Sequence, residues 1–128
     1  MIFLDASFLI ALFVKNNDWH EQALKTLPNI LKKEKIISKL VIAETITHLT
    51  LNLDAKSIRE IYNNLLENFT IIDENELYNE AMKTFIKYDA TLSFFDSMYI
   101  TIMKIKKIYE IASFDEHFDN KEGIVRIH

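Results

Sequence analysis

The segment Met1-Ile2-Phe3-Leu4-Asp5-Ala6-Ser7-Phe8-Leu9-Ile10 decides how the chain is read. Three apolar residues, Ile2 to Leu4, run straight into an aspartate, and an apolar helical pattern over Ala6 to Val14 follows at once. A short apolar run closed by a helix reads as a buried strand whose helix folds back on the sheet. Asp5 then stands at the carboxyl end of that strand. Asp is among the best N-cap residues, so capping alone accounts for it. The same place is also where open α/β sheets bind ligands and where an acid holds a metal ion. What else the fold delivers to that edge decides between the two.

Outward from there, the chain repeats the alternation. Lys15-Asn16-Asn17-Asp18 is a polar turn, and Trp19 to Leu31 reads as a helix with Ala23, Leu24, Leu27, Ile30 and Leu31 inward. Pro28 should kink or divide it. Lys32-Lys33-Glu34-Lys35 is a charged connector to a brief strand at Ile36-Ile37. Ser38 caps a helix over Lys39 to Leu53, with Ile42, Thr45, Ile46 and Leu49 as its core stripe and Glu44 off it. Asp54 to Glu67 is a further helix with Ile58, Ile61, Leu65 and Leu66 inward, and Phe69 to Ile72 a strand. Asp73 or Glu74 opens a helix through Leu77, Ala81, Phe85 and Tyr88. Ser93 opens the next, carried by Phe95, Met98, Tyr99, Ile102 and Met103. Ile111-Ala112-Ser113 is a strand, Asp115 to Asn120 an acidic turn, and Ile124 to Ile127 a last strand. Short strands separated by helices predict an α/β fold with a parallel sheet covered on both faces.

At 128 residues the chain has the size of one domain, spanning 1–128, and room for a proper core. Apolar residues make up 49% and charged residues 27%, ordinary for a globular protein. The absence of cysteine excludes disulfides and thiolate metal sites and fits a reducing cytoplasm. The amino terminus has no basic region ahead of its apolar stretch, unlike a signal peptide. The apolar run Phe8 to Val14 is too short to cross a bilayer, so no membrane is expected as a partner. Gly123 is the only glycine, which excludes glycine-rich phosphate cradles. Any phosphate chemistry must use side chains or a metal ion. The net charge of −4 argues mildly against nucleic acid, but clustered acids neutralised by divalent cations would leave the remaining surface near balance.

Four carboxylates carry the candidate chemistry: Asp5, Glu44, Asp96 and Asp115. Each has a local explanation. Asp5 caps its helix, Asp96 completes a Ser93-x-x-Asp96 capping box, Glu44 pairs with His48 one turn on, and Asp115 forms a turn. Those explanations do not account for the shared placement. Each acid follows or feeds a predicted strand end, and right-handed crossovers bring such ends to one edge of a parallel sheet. Two carboxylates ~4 Å apart repel by roughly 4 kcal/mol at an effective dielectric of ~20. A cluster therefore needs protonation or a cation. Oxygen ligands without cysteine suit Mg²⁺ or Mn²⁺ rather than zinc. Such clusters position a phosphate oxygen and water for in-line attack.

Met1-Ile2-Phe3-Leu4-Asp5-Ala6-Ser7, Leu92-Ser93-Phe94-Phe95-Asp96-Ser97 and Ala112-Ser113-Phe114-Asp115-Glu116-His117-Phe118 resemble, in that order, the signature blocks of PIN-domain nucleases. The likeness is greatest to VapC-type toxin ribonucleases. Asp18-Trp19-His20-Glu21-Gln22-Ala23 and Leu40-Val41-Ile42-Ala43-Glu44 also resemble stretches of that family, so the likeness covers essentially the whole chain. It implies a PIN-like three-layer α/β/α domain with a short, mostly parallel central sheet. It also implies an Mg²⁺- or Mn²⁺-dependent endoribonuclease that works as a homodimer and is held by a small antitoxin. Asp5, Glu44, Asp96 and Asp115 would bind the metal, with Ser7 and Ser113 holding carboxylates in place. Many relatives carry a further acid two positions after the counterpart of Asp115. Here that residue is His117, with Asp119 out of register, which bears on a second metal ion and not on the first.

Two other readings make different predictions. A catalytically weak PIN domain would serve as an RNA- or protein-binding scaffold and show no Mg²⁺- or Mn²⁺-dependent cleavage. A receiver-type signalling domain of similar size would use Asp54 as phosphoacceptor, but Asn52-Leu53-Asp54-Ala55 reads as a helix junction. His20 and His48 read as structural or surface histidines. Phe94, Phe95 and Tyr99 read as core, or else as a dimer face, and Lys104, Lys106 and Lys107 as a solvated face.

Overall fold

A computed structural model describes residues 1–128. Its strands are β1 (Ile2–Leu4), β2 (Lys35–Ser38), β3 (Thr70–Ile72), β4 (Glu110–Ala112) and β5 (Val125–Ile127). They form one sheet in the order β3-β2-β1-β4-β5, with every neighbouring pair parallel. The central strand β1 is buried on both faces, which is why it reads Ile-Phe-Leu rather than alternating with polar residues. The helices are α1 (Ala6–Phe13), α2 (His20–Leu31), α3 (Lys39–Leu49), α4 (Ala55–Asn68), α5 (Tyr78–Lys87) and α6 (Phe94–Lys106).

Side chains of β1 point alternately to two helical layers. Leu4 shares an apolar hollow with Leu12 and Phe13 of α1, Leu27 of α2 and Asn64 of α4. Phe3 points the other way, its ring 5.5 Å from that of Tyr99 on α6, which packs against α5. The fold is α/β, three layers around a parallel sheet. One cluster of 24 buried residues fills it, and each large aliphatic or aromatic side chain there contributes on the order of 1.5–3 kcal/mol.

Polar residues start the helices where the sequence places them. Asp5, Ser38, Asp54 and Ser93 each accept a hydrogen bond from the backbone N–H three residues on. Asp54 is therefore an exposed cap of α4, with no place in a phosphoacceptor pocket. Several expectations need correction. The helix α2 is not divided at Pro28, which is exposed on its solvent side. Leu24, Leu31 and Leu66 are exposed, because α2 buries only the narrow stripe Ala23, Thr26 and Ile30, and α4 buries only Leu65. Phe95 is likewise exposed at 40%. The helix α3 stops at Leu49, and residues 51–53 wind into turns bonded back to His48 and Leu49. A single 3₁₀ turn, Asn75–Leu77, precedes α5.

Register positions the edge that matters. Leu4 pairs with Ala112, so Asp5 and Ser113 follow side by side, with the Asp5 N–H reaching the Ala112 carbonyl oxygen at 3.3 Å. On the other flank β2 ends at Ser38, the cap of the helix that carries Glu44.

Candidate metal centre

Asp5 is both a cap and a member of a cluster. Its Oδ1 accepts from the Phe8 N–H at 3.0 Å and from Ser7 Oγ at 2.7 Å, while Oδ2 accepts from Ser113 Oγ at 2.6 Å. The two serines are held in turn: Ser7 Oγ accepts from the Phe114 N–H at 3.0 Å, and Ser113 Oγ from the Asp115 N–H at 2.9 Å. This net ties the end of β1 to the end of β4 and fixes the Asp5 carboxylate. Burial pushes Asp5 up to about 6 despite those donors, which pull the other way, and Glu44 adds a smaller upward push.

Asp96 lies in the first turn of α6, its backbone N–H donating to Ser93 Oγ at 3.0 Å. Asp96 is 8% exposed, and the one basic side chain within 4 Å of its carboxylate is His117, whose Nδ1 lies 3.9 Å from Oδ2. Burial, then the charges of Asp115, Asp5 and Glu44, hold Asp96 up at about 7. Asp115 caps a 3₁₀ turn, Glu116–Phe118, accepting from the His117 N–H at 2.9 Å, and its Oδ1 lies 3.1 Å from His117 Nδ1. One ligand atom each from Asp96, Asp115 and His117 lie within 4.8 Å of one another. Glu44 completes the group from α3. Tyr99 donates its hydroxyl to Glu44 Oε1 at 2.9 Å. Burial raises the Glu44 carboxyl above its ordinary range, and Asp115 pushes the same way. The Tyr99 hydroxyl is raised by burial and then by Glu44.

The four acids thus feel one another's charge, and Asp96, Asp115 and His117 form the tightest set. None of the four pairs with a lysine or arginine; the ion pairs of the molecule lie elsewhere, apart from His117. Four carboxylates with one imidazole, no thiolate and no lysine or arginine within ion-pairing distance are a donor set for a hard divalent ion. The residues present fit Mg²⁺ or Mn²⁺.

Sequence reasoning missed two members. Tyr99 read as core, yet it lies three positions after Asp96 on α6, a spacing that puts both on one helix face and was the available signal. His117 read only as the place of a missing acid, yet its imidazole turns toward Asp115 and Asp96. Asp119 instead grips Arg126 at 2.8 and 3.1 Å. His20 and His48 face backbone: Nδ1 of each lies 2.7 and 2.8 Å from the carbonyls of Ala11 and Glu44.

A PIN-domain family model matches residues 2–124. Among solved structures, the chain is similar to the Mycobacterium tuberculosis VapC20, described as a sarcin-ricin-loop-cleaving toxin. The TM-score is 0.82 and the identity 23%, covering 92% of each chain. It is also similar to PAE2754 from Pyrobaculum aerophilum, with a TM-score of 0.68 and 20% identity over 98% of this chain and 87% of that one. FitAcB from Neisseria gonorrhoeae gives a TM-score of 0.68 at 16% identity over 100% and 97%. At these identities the likeness is one of fold. No curated protein matches in sequence.

Proposed function

The chain belongs to the PIN-domain family, and on that premise we propose that it is a metal-dependent endoribonuclease, the toxin of a toxin–antitoxin pair. One observation carries the reading: carboxylates from four distant segments come close enough at the carboxyl edge of a parallel sheet for three of them to raise the fourth, Asp96, and none forms an ion pair with a lysine or arginine. In this reading Asp5, Glu44, Asp96 and Asp115 hold the ion. Ser7 and Ser113 orient Asp5, and Tyr99 orients Glu44. A bound Mg²⁺ or Mn²⁺ would neutralise charge building on the phosphate and act as a Lewis acid there. Fixing the carboxylates beforehand spares their reorganisation during the reaction. Water adds to phosphorus, the bond to the 3′ oxygen breaks, and the proton ends on that oxygen, leaving a 5′-phosphate and a 3′-hydroxyl. A second copy of the chain and a small antitoxin are the partners expected from the likeness to VapC-type toxins. A cytoplasmic setting goes with that role; no helix is long and apolar enough to cross a membrane.

The test is incubation with total cellular RNA, with and without Mn²⁺, followed by mapping of the cut ends. Metal-dependent cuts bearing 5′-phosphates, lost in Asp96→Asn, are expected. RNA left intact with Mn²⁺ present would contradict the reading and favour the scaffold.

A further inference from the structure

We propose that the hollow beside the acid cluster is a base-stacking subsite for single-stranded RNA with Trp19 as its platform, an inference that rests on the nuclease reading. The cavity is about 780 Å³, within the size range of small-ligand sites, and its lining includes Ser7, Asn17, Trp19, Phe114, Asp115 and His117. It is thus continuous with the carboxylates through Asp115 and His117.

Trp19 is the only tryptophan of the chain and is 53% exposed. One face of its ring lies on Phe114, with centroids 5.2 Å apart and planes 11° apart. Phe114 lies in turn on Phe8 at 5.3 Å and 11°, and Phe8 is fully buried. Three rings therefore form a column rooted in the core, with the indole at its solvent end. Core formation does not require that end to be an indole, since about half of Trp19 stays in water. The segment is rigidly held as well. The Trp19 N–H donates to Asn17 Oδ1 at 2.9 Å, the Trp19 carbonyl accepts from the Ala23 N–H at 2.9 Å, and His20 Nδ1 meets the Ala11 carbonyl at 2.7 Å. Phe114 immediately precedes Asp115, so the middle ring of the column and an acid of the cluster are chain neighbours.

Charge explains why stacking matters here. The chain carries a net charge of −4, and Arg126, the one arginine or lysine lining the cavity, is neutralised by Asp119. Phosphate contacts alone are a poor source of affinity for such a surface. An unpaired base laid on an aromatic face supplies affinity whatever its identity and sets the neighbouring phosphate relative to the acids.

The single tryptophan makes the test direct. In an Asp96→Asn background with Mg²⁺, a short single-stranded oligoribonucleotide should quench the tryptophan emission saturably, and the same strand annealed to its complement should quench less. In the active enzyme, Trp19→Ala should raise KM for that oligonucleotide roughly ten- to hundredfold, the loss typical of one stacked base, and change kcat less. Trp19→Phe, which keeps a ring, should restore most of it, with melting temperatures checked for both variants. Absence of quenching, equal quenching by the duplex, or an unchanged KM in Trp19→Ala would overturn the proposal, as would a cavity that serves a protein segment and ignores RNA. Cutting without quenching would sink the subsite alone, whereas quenching by a wild-type protein that cuts no RNA would sink the nuclease reading and leave the subsite standing.

Discussion

Asp96 is the residue at which the electrostatics of the site are most exposed to experiment. It is raised to about 7 by its burial and by three other acids, which outweigh the opposing pull of the Ser93 hydroxyl. A carboxyl raised from the ordinary 3.8 binds protons more readily in the folded chain than in the unfolded one. The folded state is therefore favoured below the ordinary value, and that advantage is lost as pH rises through about 7. Asp96→Asn removes the ionisation. Without metal, the variant should melt above the wild type by about 3–8 °C near ~pH 8, equivalent to on the order of 1–2 kcal/mol. Near ~pH 5 the gap should be smaller, and it should close below about 3.8, where the carboxyl is protonated in the folded and the unfolded chain alike. A variant melting several degrees lower at both pH values would mean that Asp96 serves α6 as a structural residue. Tyr99 and His117 escaped the sequence reading for a reason visible at this scale. The first forms its polar contact with Glu44, 55 positions away, so only its spacing from Asp96 on α6 marked it, and the second turns toward an acid on another element.

At the scale of elements, the helix starts were legible because capping is local. Ser38, Asp54 and Ser93 each accept from the N–H three residues on, a bond that spacing alone predicts. The convergence of strand ends on one edge was legible too, since right-handed parallel crossovers leave few alternatives. Helix faces were less so. The width of a buried stripe depends on what packs opposite, so Leu24 and Leu31 of α2 read as inward yet stand in water. The element that joins fold and site is α1, whose cap is also a candidate ligand, and the two roles separate by substitution. Asn caps as well as Asp. Asp5→Asn should thus keep the Phe8 N–H bonded and melt within ~1 kcal/mol of the wild type, while losing cleavage. Asp5→Ala should cost a further ~1–2 kcal/mol in denaturant unfolding, because the cap and the partner of two serine hydroxyls go together. Equal stability of the two variants would show that the cap contributes nothing measurable.

For the whole molecule, the acids make folding, proton binding and cation binding one linked equilibrium. Asp5 at about 6 and Asp96 at about 7 are both raised from 3.8, chiefly by burial, so the metal-free protein should lose stability as pH rises from about 4 to about 7. A cation that binds only the folded chain adds RT ln(1 + [L]/Kd), about 2.7 kcal/mol at ~100 times Kd. That gain needs ionised carboxylates, so it should grow over the same range in which the metal-free protein weakens. The measurement that tests the shared hollow most directly is thermal melting of the full chain across pH, with and without Mn²⁺. Adding Mn²⁺ should raise the melting temperature by roughly 5–10 °C near ~pH 8 and only slightly near ~pH 5, with a greatly reduced response in Asp96→Asn. A melting temperature indifferent to Mn²⁺ at every pH, or raised equally in Asp96→Asn, would contradict the shared hollow.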